Sequence, residues 1–384
     1  MMDFLRYCFI DNYQTLLVLL VTAIACSIIG VFLVLRRLSM LADAISHSIL
    51  LGIVLAYFIV KDITSVYLVF GAAIFGVITV FSIESLSKTK LVKNDDAVGI
   101  VFPMFFALAV ILITKYARNV HLDVDIVLMG EVIMAPLNTV NFLGVEIPKS
   151  LLQMSVMGLI NLAFIWIFFK ELKLTTFDAE FAKIAGFSEV FLFYGLMSLT
   201  SFTTVVAFEA VGAILVISFL IAPASSAYLI SKNLRTMIII SVLYSILNSI
   251  LGFVLAMYYN LSMSGMSATI AGITFFITFL FNKNGFLMKI ITRKRKHIEF
   301  KKDAFLMHVG NHQQEENSKE ELGIGTIYKH LSWKKEDIEK YSKILIAENK
   351  ILIDEGVYKL TEKGRNLYIS LLKDYGLWGI RWTQ

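Results

Sequence analysis

The sequence predicts an all-α protein that threads a membrane eight or nine times and carries a small α+β domain behind its last span. Three observations predict this. Hydrophobic residues make up 57% of the 384-residue chain and charged residues only 17%, against about 25% charge in a typical soluble domain. Mean hydropathy is +0.74. The composition then breaks sharply after Lys289, beyond which the chain is charged and has no long apolar run. The expected domains are therefore 1–289 in the membrane and 290–384 outside it.

A helix needs about 20 apolar residues to cross the hydrocarbon layer. Nine windows qualify: Thr15 to Leu35, Ala42 to Val60, Ser65 to Ile83, Ala97 to Thr114, Leu151 to Phe169, Val190 to Phe208, Ala210 to Ile230, Met237 to Tyr258 and Ser267 to Phe281. The first is too long for a signal-peptide core and no small-residue cleavage site follows it, so it reads as a span. The second carries charges and the Ala210 window follows a tight turn, so re-entrant segments and eight crossings stay open. With nine, Arg36, Arg37, Lys88, Lys90, Lys93, Lys170, Lys173, Lys183, Lys232 and Arg235 share one side with the tail. The basic-rich side is cytoplasmic, which puts the N-terminus outside. The tract Arg293 to Lys296 suits anionic lipid headgroups. Two cysteines, Cys8 and Cys26, make no disulfide framework.

Chemistry concentrates at Asp43 and His47. Ionisable groups at membrane depth persist mainly where they face a bundle interior or an ion path, and the i, i+4 spacing puts carboxylate and imidazole on one helix face, able to grip one cation. The bland alternative is a polar knot between helices, but Ser or Asn would serve that purpose more cheaply. Other polar residues read structurally. Asp95 and Asp96 suit a helix N-terminus. His121, Asp123 and Asp125 read as a solvated external loop ahead of metal capture, and Glu209 as a solvated turn residue. Pro223 and the small residues after it suit tight packing. The 15 methionines are scattered, as core and lipid-facing residues are.

Five blocks together resemble the permease subunits of zinc, manganese and iron ABC importers: LRRLSMLADAISHSILLG (35–52), DDAVGIVFPMFFALAVIL (95–112), HLDVDIVLMGEV (121–132), TTFDAEFAKIAGF (175–187) and AVGAILVISFLIAPASSAYLI (210–230). Their order and spacing match along residues 10 to 285. The resemblance implies a type II importer permease in a bacterial inner membrane, paired with a second permease subunit, identical or not. It implies two cytoplasmic ATPase subunits and an extracytoplasmic metal-binding receptor as further partners. It also implies a coupling helix docked on the ATPase through Phe177, Asp178, Glu180, Phe181, Ala182 and Gly186. The chain has no G-x-x-x-x-G-K-[ST] loop, so ATP is hydrolysed elsewhere. It is not expected to be an enzyme or to hold a cofactor; the divalent metal, Mn, Zn or Fe, is substrate.

The tail is similar to the winged-helix domain of diphtheria-toxin-repressor-like metal regulators. The likeness rests on helices at Ile324 to Leu331 and Lys334 to Glu348, a wing at Ile351 to Leu360, and LTEKGR. Where those regulators place His and Glu ligands, this chain has Tyr375, Gly376, Leu377, Trp378 and Gly379. Residues 301–384 carry fourteen Lys/Arg against thirteen Asp/Glu, whereas phosphate contact needs a basic face. The tail is thus expected to bind neither metal nor DNA and to contact protein instead. Two rival functions are a membrane-tethered metal-responsive regulator, which wants the basic recognition face that is lacking, and an ATP-independent channel or carrier, which has no use for a docking helix. Serine-hydrolase chemistry is set aside, because GMSAT at Gly265 lacks the closing glycine of G-x-S-x-G.

Overall fold

In hydrocarbon every backbone polar group must be satisfied inside the chain, which leaves helices as the economical spanning element for apolar runs of this length. The computed structural model describes residues 12–62, 65–116, 132–142, 144–282 and 285–376. Among them, nine helices are long and apolar enough to span a membrane. They are α1 (Tyr13–Leu35), α2 (Ser39–Val60), α3 (Val66–Lys88), α4 (Asn94–Tyr116), α5 (Lys149–Ile167), α8 (Glu189–Val211), α9 (Ala213–Ile230), α10 (Leu234–Tyr259) and α11 (Met263–Phe281). Two short helices, α6 (Phe169–Phe177) and α7 (Ala179–Ile184), lie between α5 and α8.

The charged second window is one unbroken helix of 22 residues, about 33 Å long at 1.5 Å per residue. The junction between α8 and α9 lies at Gly212, two residues beyond the expected start of that window. Gly212 has φ +83 and ψ 159, a region open essentially to glycine alone. Between α4 and α5 the chain makes a small antiparallel hairpin, Thr139–Phe142 with Val145–Pro148, which the hydropathy pattern did not announce.

Water-driven burial cannot hold apolar helices together in lipid, so close packing and interhelical hydrogen bonds must do it. The most enclosed span is α1, with Leu19, Ile29, Phe32 and Leu33 fully buried. Its Gly30 lies so close to α9 that a Cβ there would stand 1.9 Å from the Leu220 carbonyl oxygen. Polar side chains add links: Asn161 on α5 donates to Thr203 Oγ1 on α8 at 2.9 Å and to the Ala25 carbonyl on α1 at 3.4 Å. Ser201 on α8 donates to the Ala73 carbonyl on α3 at 2.8 Å.

By internal contacts the chain divides into units 1–285 and 286–384. The second comprises α12 (Phe286–His312), α13 (Ser318–Glu321), α14 (Ile327–His330), α15 (Lys335–Ala347), an antiparallel hairpin of Ile351–Asp354 with Val357–Leu360, and α16 (Glu362–Asp374). The hairpin turns through Glu355 and Gly356, both at positive φ, the signature of a type I′ turn whose twist suits the strands. Its core is built from Phe305, Leu306, Val309, Leu322, Ile327, Ile338, Leu345 and Ile351. Residues Arg293 to Lys296 are exposed on α12.

Candidate functional site

Asp43 and His47 lie about 6 and about 12 Å along α2 from its Ser39 end, by the helical rise. The unit's own helices bury most of their neighbours, but each of these two side chains stays 38% exposed. Asp43 Oδ1 and His47 Nε2 are 3.6 Å apart. Two ligand atoms on one tetrahedral ion at about 2.1 Å stand about 3.4 Å apart, so the pair needs almost no rearrangement to chelate. The imidazole is held from α4: Phe102 stacks on it at 5.7 Å and Phe106 meets it edge-on at 5.9 Å. Met40 continues the same exposed stripe.

The expected docking stretch is two helices rather than one. Thr175 to Phe177 belong to α6, and the chain kinks at Asp178, which has φ −149 and ψ 86. Asp178 then caps α7, its Oδ1 accepting the Phe181 N–H at 2.9 Å. Gly186 closes the helix at φ +84, with its N–H on the Lys183 carbonyl and that of Phe187 on the Ala182 carbonyl, a Schellman-like end. Fixed at both ends, this short knob buries Ala182 and exposes Glu180, Phe181 and Ile184, while Phe177 is exposed at the end of α6. Arg36, at the end of α1, reaches its base, donating to Thr175 Oγ1 at 2.7 Å and Thr176 Oγ1 at 3.1 Å.

The remaining candidates fall in different places. Asp95 and Asp96 lie exposed in the first turn of α4. Glu209 is paired with Lys149 at 3.2 Å, so it is a salt-bridged residue and not simply a solvated one. His121, Asp123 and Asp125 lie outside the described residues, as do Leu377, Trp378 and Gly379. One cluster escaped the sequence reading: His308 and His312 on α12 converge with Glu321 on α13. The i, i+4 spacing of the two histidines was the only linear signal for it.

Comparison with known proteins bears on the whole membrane unit. Residues 9–282 match the model of the ABC 3 transport family. The zinc transport system membrane protein TroD of Treponema pallidum (strain Nichols) is 39% identical over 321 residues, 83% of this chain and 88% of that protein. The manganese transport system membrane protein MntD of Bacillus subtilis (strain 168) is 39% identical over 282 residues, 73% of this chain and 94% of that one. PsaBC from Streptococcus pneumoniae, solved in complex with Fab, superposes with TM-score 0.61 at 29% identity, covering 73% of this chain and 95% of that chain. An inward-facing metal-chelate type ABC transporter shares the fold at TM-score 0.53 and 19% identity. With a family model spanning most of its length and relatives of this identity, the chain belongs to the ABC 3 transport family, as the multi-pass permease subunit of an ABC import system and not its ATPase.

Proposed function

We propose that this permease carries a divalent transition metal ion across a bacterial inner membrane, with Asp43 and His47 as its transient ligands. The supporting observation is the chelating pair itself: a carboxylate and an imidazole 3.6 Å apart, on a face that the unit's own helices leave half open. Against lipid an Asp alone costs up to about 2.5–3.5 kcal/mol on insertion scales, so the face calls for cover. A second permease half supplies it, and a second Asp/His pair there brings the two carboxylates that neutralise a dication. The donors are borderline in softness and suit Mn, Zn and Fe alike; relatives named for zinc and for manganese accord with that range.

Energy enters from outside the chain. An external receptor delivers the ion, and two ATPase subunits dock on the capped α7 knob with its exposed Phe181 and Ile184, beside the exposed Phe177 at the end of α6. Their closure pushes α6 and, through Arg36, the end of α1, switching the halves between outward and inward access as rigid bodies. The tail reads as a cytoplasmic winged helix, an autonomous domain supported by its helix, helix and hairpin order.

Uptake of radiolabelled Mn2+ or Zn2+ into vesicles carrying the assembled transporter tests the metal assignment. Asp43→Asn and His47→Ala are expected to abolish most energised uptake while the permease still inserts and binds its ATPase. Wild-type uptake in both variants sinks it.

A further inference from the structure

Within the 286–384 unit, four ring or carboxylate groups meet where three helices converge. His308 and His312 sit one turn apart near the end of α12, and Glu321 ends α13; one ligand atom from each lies within 4.8 Å of the others, and all three residues are half-buried. The two imidazoles are 4.7 Å apart by ring centroids. Glu321 does not float: its Oε2 lies 3.0 Å from His330 Nδ1 on α14 and 4.0 Å from His308 Nε2. His312 is oriented in turn, with Nδ1 2.6 Å from Glu315 Oε2.

We propose that His308, His312 and Glu321 form a binding site for a divalent transition metal ion, with zinc the best-suited occupant. Two imidazoles and one carboxylate are a recurrent zinc ligand set, with a fourth position left for water. Ligands on one ion stand about 3.4 Å apart, so small side-chain rotations from the present separations suffice. The surroundings prepare the ligands. Glu315 holds His312 by Nδ1, leaving Nε2 with its lone pair for the ion, and His330 donates to Glu321, the outer-shell pattern that fixes tautomer and direction at metal sites. His308 Nε2 lies 3.4 Å from the Glu321 carbonyl oxygen, which keeps its ring turned toward the end of α13. These residues are not the positions at which the repressor-like regulators carry their ligands. The expectation of a metal-free tail rested on those missing positions alone.

Occupancy has a mechanical consequence. Leu322 and Ile324, just after Glu321, are hydrogen-bonded to the hairpin through Tyr358 N–H and the Gly356 carbonyl. An ion tying Glu321 to α12 therefore fastens the long helix to the hairpin base. Neither the site nor this consequence depends on which cargo the membrane unit carries.

The test uses the full-length chain in lipid nanodiscs with the Asp43→Asn/His47→Ala pair as background, so that the membrane ligands do not contribute. Isothermal titration with Zn2+ is expected to show one equivalent bound, with Co2+ giving the visible absorption of a nitrogen- and oxygen-ligated ion. Adding His308→Ala/His312→Ala should remove that equivalent, and Zn2+ should slow amide exchange across residues 318–330 only when the histidines are present. His330→Ala is expected to weaken binding about 10- to 100-fold. Should the double histidine variant unfold the tail, Glu321→Gln gives the answer, since it keeps size and loses the charged ligand. No zinc bound in the background protein, or wild-type affinity in Glu321→Gln, overturns the proposal.

Discussion

Arg36 Nη2 donates to Thr175 Oγ1 at 2.7 Å, joining the end of the first span to the helix that carries the α7 knob. Hydrogen bonds to a charged donor contribute about 1.5–3 kcal/mol, enough to bind the two elements into one moving part. Arg36→Met keeps the length and removes the donors. Insertion and ATPase copurification are expected to survive, whereas transport per ATP hydrolysed falls about tenfold or more. Reconstituted vesicles measuring both rates check this; an unchanged ratio means the link carries no motion.

Phe102 and Phe106 fix the plane of the His47 ring. An aromatic pair is worth about 0.5–1.5 kcal/mol beyond its buried area. Phe102→Ala is therefore expected to raise the half-saturating metal concentration roughly two- to tenfold with little loss of maximal rate. Initial uptake rates across a metal titration decide it, and an unchanged half-saturation point removes the packing role.

Gly186 is a conformational requirement without a steric one: φ is +84, yet a Cβ there meets nothing within 4 Å. A side chain strains only the backbone, by about 1–2 kcal/mol. Gly186→Ala should weaken copurification of the ATPase only modestly, while Phe181→Asp, which charges the exposed knob, should abolish it. Equal retention in both would place the docking surface elsewhere.

Helix approach gives a sharper contrast. At Gly30 a Cβ would collide with the Leu220 carbonyl at 1.9 Å, whereas at Gly99 it has open space. Gly30→Ala is expected to cut the yield of folded permease severalfold, and Gly99→Ala to leave it unchanged. Fluorescence-detected gel filtration in mild detergent distinguishes the two outcomes.

What was legible in the chain divides along physical lines. The nine apolar windows follow from length and hydropathy, which are local, but whether the charged α2 window and the Ala210 window cross fully stays open on hydropathy alone, between eight and nine spans. The α8–α9 boundary lies two residues past the expected one, because the windows broke at the charged Glu209 while the helix runs on to Val211 and ends only where Gly212 takes a positive φ. Asp178 was noticed within a docking helix, but its role as a cap that splits the stretch depends on backbone angles. Asp43 and His47 stood out because charge is costly in a membrane. The cluster of His308, His312 and Glu321 did not, since those residues are ordinary in a polar tail and meet only once α12 and α13 fold together.

The Gly212 junction has a consequence for biosynthesis. Its N–H is taken by the Phe208 carbonyl at 3.0 Å, and its own carbonyl accepts the Val216 N–H at 3.2 Å, so Gly212 satisfies its own backbone groups without water. One residue of chain reaches only about 3.5 Å, too little to leave α8 lodged in the bilayer while α9 waits at the ribosome exit. The two helices are thus expected to leave the translocon together, as a preformed pair. In chains arrested at successive lengths, crosslinks from α8 to the translocon should persist until α9 has fully emerged and give way to lipid contact only then.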